Sequence, residues 1–139
     1  MKKSVIVEAI KPAFVDERGT ITDLLNRDIS HVGMIVTEKN AVRASHYHRK
    51  SHQYSYIVSG SFEVLTAPIT KPELVERHIV KAGQLIAIAP RTIHRFRALS
   101  KSTMVDMISR SREGNAYEDD VVRIQFDSGG FVLPVKPKK

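Results

Sequence analysis

No window of a dozen residues in this 139-residue chain carries a 3.6-residue apolar period free of helix breakers. Short runs rich in β-branched and aromatic residues alternate instead with turn signals: Ser59-Gly60, Lys81-Ala82-Gly83, Ala89-Pro90 and Ser128-Gly129-Gly130. The runs expected as strands are Val5–Ala9, Ile21–Leu25, Val32–Thr37, Val42–His48, Gln53–Ser59, Ser61–Ala67, Leu74–Val80, Leu85–Ile88, His94–Ala98, Thr103–Ser109, Val121–Phe126 and Phe131–Val135. So many short, closely spaced strands predict an all-β chain, folded as an antiparallel sandwich or barrel.

The length suits one domain covering residues 1–139. A chain that is 42% hydrophobic and 27% charged buries an ordinary core and is not disordered. It has no cysteine, which excludes disulfides and thiolate metal sites and fits a cytoplasmic location. The opening apolar run is broken by Glu8 and Lys11. It is too short for a signal peptide or a membrane span and reads as a first strand. The net charge of +7 favours anionic partners, although a solvated basic surface accounts for it equally well. Aromatics are few and no basic-aromatic stripe occurs, so neither nucleic acid nor membrane is expected as a partner.

Chemistry concentrates in His46-Tyr47-His48-Arg49-Lys50-Ser51-His52-Gln53. Residues i and i+2 on a strand share a face, so His46 and His48 point the same way. His94 follows the Gly83…Pro90 turn region. Three imidazoles from separate strands, with Gln53 as an oxygen donor, can hold a divalent ion such as Zn, Fe, Ni or Mn and leave a position open. The same groups can instead do acid/base work, because the imidazole pKa lies near working pH.

These residues resemble the cupins, small jelly-roll β-barrels. His46, His48, Gln53 and Gly60 keep the spacing of the first cupin motif, with Gln53 in place of its Glu. Gly83 and His94 keep the spacing of the second, with Ala89, Arg91 and Ala98 where Pro, Gly and Asn would stand. The resemblance covers most of residues 40–110 and implies a single-domain cupin jelly-roll β-barrel. A narrower likeness is to the nucleotide-sugar cupins, the 3,5-epimerases and 3,4-ketoisomerases. Asp16-Glu17-Arg18-Gly19 is similar to their Asp-x-Arg-Gly entry. Arg43-Ala44-Ser45-His46-Tyr47 is similar to Arg-Gly-x-His-Tyr, and His46 to Gln53 to the ketoisomerase His-x-His-Lys-x-x-x-Gln pattern. Tyr117–Arg123 resembles a late segment of sugar-modifying cupins.

That resemblance implies an isomerase or epimerase of a nucleotide-linked 4-keto-deoxysugar that needs no cofactor. His46 and His48 would be the catalytic base and acid, and Arg18, Arg43 and Gln53 would bind the substrate. The presence of His94, usually lacking in ketoisomerases, keeps open a metal-binding cupin enzyme with its ion on His46, His48, Gln53 and His94. A third alternative is a non-catalytic sugar- or effector-binding cupin.

Register expectations follow from period 2. With His46 and His48 facing inward, Ala44 and Val42 should do so too, as should Ser55 and Ile57 with Gln53. Tyr54 and Tyr56 then face outward and call for a cover, and a homodimer is expected. Asp106, in apolar company on a late strand, is the preferred carboxylate to orient a histidine, ahead of Asp120. Tyr47, Arg95 and Arg97 should point out of the barrel, and His52 to the surface.

Overall fold

A computed structural model describes residues 3–134. The last position of the strand expected at Phe131–Val135, and the three C-terminal lysines, lie outside them. Fourteen strands and one short helix follow in order: β1 (Val5–Ala9), β2 (Phe14–Asp16), β3 (Gly19–Ile21), β4 (His31–Thr37), β5 (Val42–His48), β6 (Gln53–Ser59), β7 (Ser61–Pro68), β8 (Glu76–Lys81), β9 (Gln84–Ile88), β10 (Thr92–Ala98), β11 (Ser102–Ile108), α1 (Ala116–Asp120), β12 (Val121–Arg123), β13 (Gln125–Asp127) and β14 (Gly130–Val132). Two antiparallel five-stranded sheets face one another, ordered β1-β9-β6-β11-β4 and β12-β5-β10-β7-β8. This is the all-β jelly-roll barrel the sequence predicts.

Ile57, Phe62, Val64, Val80, Ile86, Ile88, Phe96, Ala98 and Met104 fill the space between the sheets. Burying each large side chain there contributes about 1.5–3 kcal/mol. The turn from β6 to β7 depends on Gly60, whose φ is +81° and where any Cβ would run into Ser102. A second cluster lies outside the barrel. Ala67 and Ile93 face outward from the second sheet and pack against Ile124 and Phe131 of the C-terminal segment. Tyr47 joins this cluster, and Arg95 lies 4.3 Å over the Phe126 ring, so both point out of the barrel as expected.

Three segments depart from expectation. The run 21–25 is not a strand. Asp16 accepts the Arg18 N–H and Gly19 takes φ +133°, so the chain turns early and pairs Phe14 with Ile21 in a hairpin. The β8 strand begins at Glu76 rather than at Leu74, which is exposed. The single strand expected at Val121–Phe126 breaks at Ile124. There the Ile124 N–H donates to the Ser45 carbonyl and its own carbonyl accepts the Ser45 hydroxyl.

Candidate active site

The inner wall of the second sheet carries the imidazoles. His94 on β10 stands directly opposite His46 on β5. Their ring centroids are 4.7 Å apart, and His48 lies 5.0 Å from His46 and 5.5 Å from His94. The ligating nitrogens of all three lie within 4.8 Å of one another. Gln53, at the start of β6, and Asp106 on β11 reach in from the other sheet, and both are buried.

The inward expectation for Ala44 and Val42 fails, and a bulge is the reason. Ala44 and Ser45 take φ of +68° and +66°. Arg95 pairs with Ala44 while His94 pairs with His46, which leaves Ser45 as an extra residue. Below the bulge the parity is reversed. Arg43 then shares the inner face with its cross-strand partner Phe96, while Val42 and Ala44 pair with the outward Arg97 and Arg95, and Ala44 still borders the cavity. Arg43 lines the cavity mouth, with its guanidinium on the Thr37 hydroxyl and the Val36 carbonyl.

Each histidine has a distinct environment. His94 is fully buried and places Nδ1 2.9 Å from the Thr92 carbonyl, so Nδ1 carries the proton and Nε2 presents a bare lone pair. That Nε2 has no hydrogen-bond partner among the described residues. Burial, reinforced by His48, pushes the His94 pKa down to about 3. Burial pushes His46 down to about 2, with further repulsion from His94, His48, Arg123 and Arg112. Both rings are therefore neutral at working pH.

His48 is engaged at both ring nitrogens. Nδ1 lies 3.0 Å from Asp120 Oδ2, and Nε2 lies 3.1 Å from Gln53 Oε1. Asp120, the last residue of α1, is delivered by β12, which pairs Val121 with His48. Burial opposes the Asp120 charge, but hydrogen bonds from Ser51, the Lys50 N–H and His48 hold its carboxyl below the usual range. Asp120 thus takes the orienting role expected of Asp106. Asp106 instead accepts the Ser55 hydroxyl at 2.7 Å, and burial raises its pKa.

Donors and acceptors in this chain can be counted. The Gln53 amide NH₂ donates to Ser55, which donates to Asp106. Gln53 Oε1 is therefore an acceptor facing His48 Nε2. With Nδ1–H given to Asp120, two lone pairs would meet at 3.1 Å unless something lies between them. A second proton on His48, a cation, or a reversed Gln53 amide that turns its NH₂ to Nε2 each removes the conflict.

These groups open on a cavity of about 430 Å³. Arg112 stands at its mouth, 4.0 Å over the Tyr117 ring, with no ion-pair partner among the described residues. The sequence reading overlooked Arg112 and Tyr117 as lining residues, although the Tyr117 segment carried a signal. Arg18 is not brought to this cavity. Its guanidinium is tied to Asp16 in the turn of the β2–β3 hairpin and is 79% exposed. His52 is exposed and stacks on Tyr54. A larger cavity of about 540 Å³ lies along β1, β7 and β8, where two of its polar side chains, Thr66 and His78, satisfy each other.

Residues 33–109, more than half of the chain, match the family model described as a cupin domain. The chain belongs to the cupin family. No curated protein matches this cupin in sequence. Solved structures match it in fold. The sugar 3,4-ketoisomerase QdtA of Thermoanaerobacterium thermosaccharolyticum, solved in complex with TDP, is 20% identical, with a TM-score of 0.71 over 88% of this chain and 90% of that one. A 3,4-ketoisomerase from Helicobacter canadensis is 17% identical, with a TM-score of 0.73 over 88% and 92%. The dTDP-4-dehydrorhamnose 3,5-epimerase of Sulfolobus tokodaii is 17% identical, with a TM-score of 0.72 over 98% and 84%. Two departures of this cupin from the motif glycines, Ala44 and Arg91, fall where φ is positive, +68° and +61°. Non-glycine residues there bear backbone strain.

Proposed function

We propose that this cupin isomerises or epimerises a nucleotide-linked 4-keto-deoxysugar by proton transfer between His46 and His48. The observation that carries the reading is the contrast between the two rings. His46 is neutral, with no hydrogen bond to its ring among the described residues, and borders the cavity. His48 is held between the Asp120 carboxylate and the Gln53 oxygen. Neighbouring groups with opposed environments divide the acid and base roles.

The ketone acidifies the hydrogen on the adjacent carbon. His46 accepts that proton, and the C–H electrons move through the new C=C bond onto the carbonyl oxygen. His48 donates an N–H hydrogen bond to the resulting enediolate. Delivery of the proton held by His46 to the former carbonyl carbon, with the hydroxyl proton of the deprotonated carbon passing to the enediolate oxygen, moves the ketone and gives isomerisation; delivery of a proton from His48 to the opposite face of the deprotonated carbon gives epimerisation. Arg43 and Arg112 at the mouth suit a diphosphate. An anion beside Arg112 also removes part of the repulsion that depresses His46 and so strengthens the base. The fold shared with the ketoisomerases and epimerases agrees with this reading.

A second reading rests on the bare Nε2 of His94. His46, His48 and His94 would hold a divalent ion with Gln53 as the fourth donor, and Asp120 would orient His48 from behind. The residues fit such an ion. Three imidazole nitrogens within 4.8 Å of one another and an amide oxygen would be a donor set for a borderline divalent ion. The ion would supply Lewis acidity to a carbonyl oxygen.

The test is turnover of thymidine diphosphate-4-keto-6-deoxyglucose, with binding followed by calorimetry. His46→Asn and His48→Asn should bind the sugar nucleotide and not convert it. Wild-type turnover in either variant contradicts the assignment. Loss of wild-type turnover on chelation, restored by added metal, favours the second reading.

A further inference from the structure

One carboxyl faces the imidazoles across the cavity. Asp106 lies on β11 of the first sheet, between Ser55 of β6 and Gly33 of β4, whereas His46, His48 and His94 belong to the second sheet. Its neighbours on that wall, Ile35, Met104 and Ile108, are apolar, and among the described residues it is the one acid lining the cavity. Asp106 is only 6% exposed. The Ser55 hydroxyl donates to Oδ1 at 2.7 Å, and the carboxyl has no other hydrogen bond among the described residues, which leaves Oδ2 for a group in the cavity. A buried carboxyl oxygen without a partner costs stability. As structure alone, an apolar side chain would serve this position better.

We propose that Asp106 is a catalytic residue that carries the oxygen-bound proton when the ketone moves along the sugar. The proposal rests on His46 as the base at carbon, and it commits the site to isomerisation. Moving a ketone by one carbon relocates two protons. The first passes from carbon to carbon on His46. The second leaves the hydroxyl of the deprotonated carbon and joins the former carbonyl oxygen. Its carrier must donate at one oxygen and accept at the next. Arg43 and Arg112 have no lone pair to accept with. His48 is committed as a donor to the enediolate, with Nδ1 on Asp120. Tyr117 lies at the mouth beneath Arg112. Asp106 Oδ2 can do both, and vicinal oxygens of one ring lie within hydrogen-bond reach of a single carboxyl oxygen. Its O–H breaks as the proton joins the former carbonyl oxygen. The carboxylate so formed takes the proton of the neighbouring hydroxyl. The electrons of that O–H bond close the new C=O, and the C=C electrons take up the proton held by His46. Asp106 ends protonated, as it began, so no co-reactant is needed. Burial raises its pKa, against the Ser55 hydrogen bond and the charges of His48, His31 and Arg112. That brings the acid closer to the oxygens it serves, the match that favours proton transfer. Epimerisation moves no proton between oxygens and does not need this group.

Proton magnetic resonance of the full chain in deuterated water tests the proposal, with thymidine diphosphate-4-keto-6-deoxyglucose as the probe. The wild type should both move the ketone and place deuterium at the hydroxyl-bearing carbon beside it. The readout is the ratio of those two rates, which does not depend on how much protein is folded. Asp106→Asn keeps the shape and cannot pass a proton. Isomerisation should fall about a hundredfold or more, and its ratio to exchange about tenfold or more, because His46 still removes the proton from carbon. Ser55→Ala keeps the carboxyl but frees its orientation, and should lower the same ratio by less. A wild-type ratio in Asp106→Asn overturns the proposal. So does a wild type that exchanges or epimerises without moving the ketone, a result that leaves His46 standing as the base. A wild type that does not exchange at all overturns both.

Discussion

Asp120 Oδ2 lies 3.0 Å from His48 Nδ1, and both residues are at least nine-tenths buried. The contact joins residues 72 positions apart and fixes both the orientation of the ring and the nitrogen that carries its proton. Asp120→Asn keeps the shape and removes the charge. Turnover should fall about a hundredfold or more, the usual worth of a positioned acid or base, while binding of the nucleotide changes little. Steady-state kinetics that separate kcat from KM check this. The stability sign is also set. The Asp120 pKa is lowered in the fold, so its contribution is full above the unfolded carboxyl pKa and is lost as pH falls through the lower folded value. Asp120→Asn should flatten that acid limb.

The neutral histidines make the fold sensitive to acid. Burial holds His46 near 2 and His94 near 3, whereas both titrate near 6.5 in the unfolded chain. Between those values the unfolded chain binds protons that the folded chain refuses. Stability is therefore full above about pH 6.5 and falls with acidification, by about 1.4 kcal/mol per pH unit for each histidine. Urea unfolding between pH 7 and pH 5 measures the slope. His46→Asn should reduce it by about one proton, and equal stability across the range contradicts the assignment.

Asp106 has the opposite sign. Burial raises its pKa, so its charged form is disfavoured in the fold, and stability declines as pH rises through the folded value. Asp106→Asn keeps an acceptor for the Ser55 hydroxyl and removes the buried charge. The variant should gain stability at neutral pH by about 1 kcal/mol or more and gain nothing at acid pH. Denaturation at both pH values checks it.

Arg91 sits at φ +61° in the turn before β10, where the cupin motif has glycine. Arg91→Gly relieves a left-handed conformation worth about 1–2 kcal/mol, offset by about 0.5–1 kcal/mol of added chain entropy. A net gain of about 0.5–1 kcal/mol should appear as a higher urea midpoint with an unchanged slope.

Strand content was largely legible, because β5 and β6 announce themselves by composition and by the turn at Gly60. The barrel and the meeting of His46, His48, Gln53 and His94 followed from period 2 and motif spacing. The bulge at Ala44 and Ser45 did not, because strict alternation carries no mark of an extra residue. Its one trace was a family glycine replaced by Ala44. Asp120 was ranked below Asp106 because three consecutive acids read as a solvated loop. A five-residue helix is also too short to leave a period, and only the pairing of β12 with β5 buries the last of the three. Arg112 was missed because a lone arginine in a loop acquires meaning only when Tyr117 holds it at a cavity mouth. Arg18 matched a motif position, yet its turn ties it to Asp16.

Solvent isotope exchange tests the central claim most directly. With thymidine diphosphate-4-keto-6-deoxyglucose in deuterated water, proton magnetic resonance should record deuterium entering at the carbon beside the ketone. The rate should be abolished in His46→Asn and His48→Asn and indifferent to chelator. Absence of exchange while the sugar nucleotide is bound, or undiminished exchange in His46→Asn, contradicts proton transfer by these histidines.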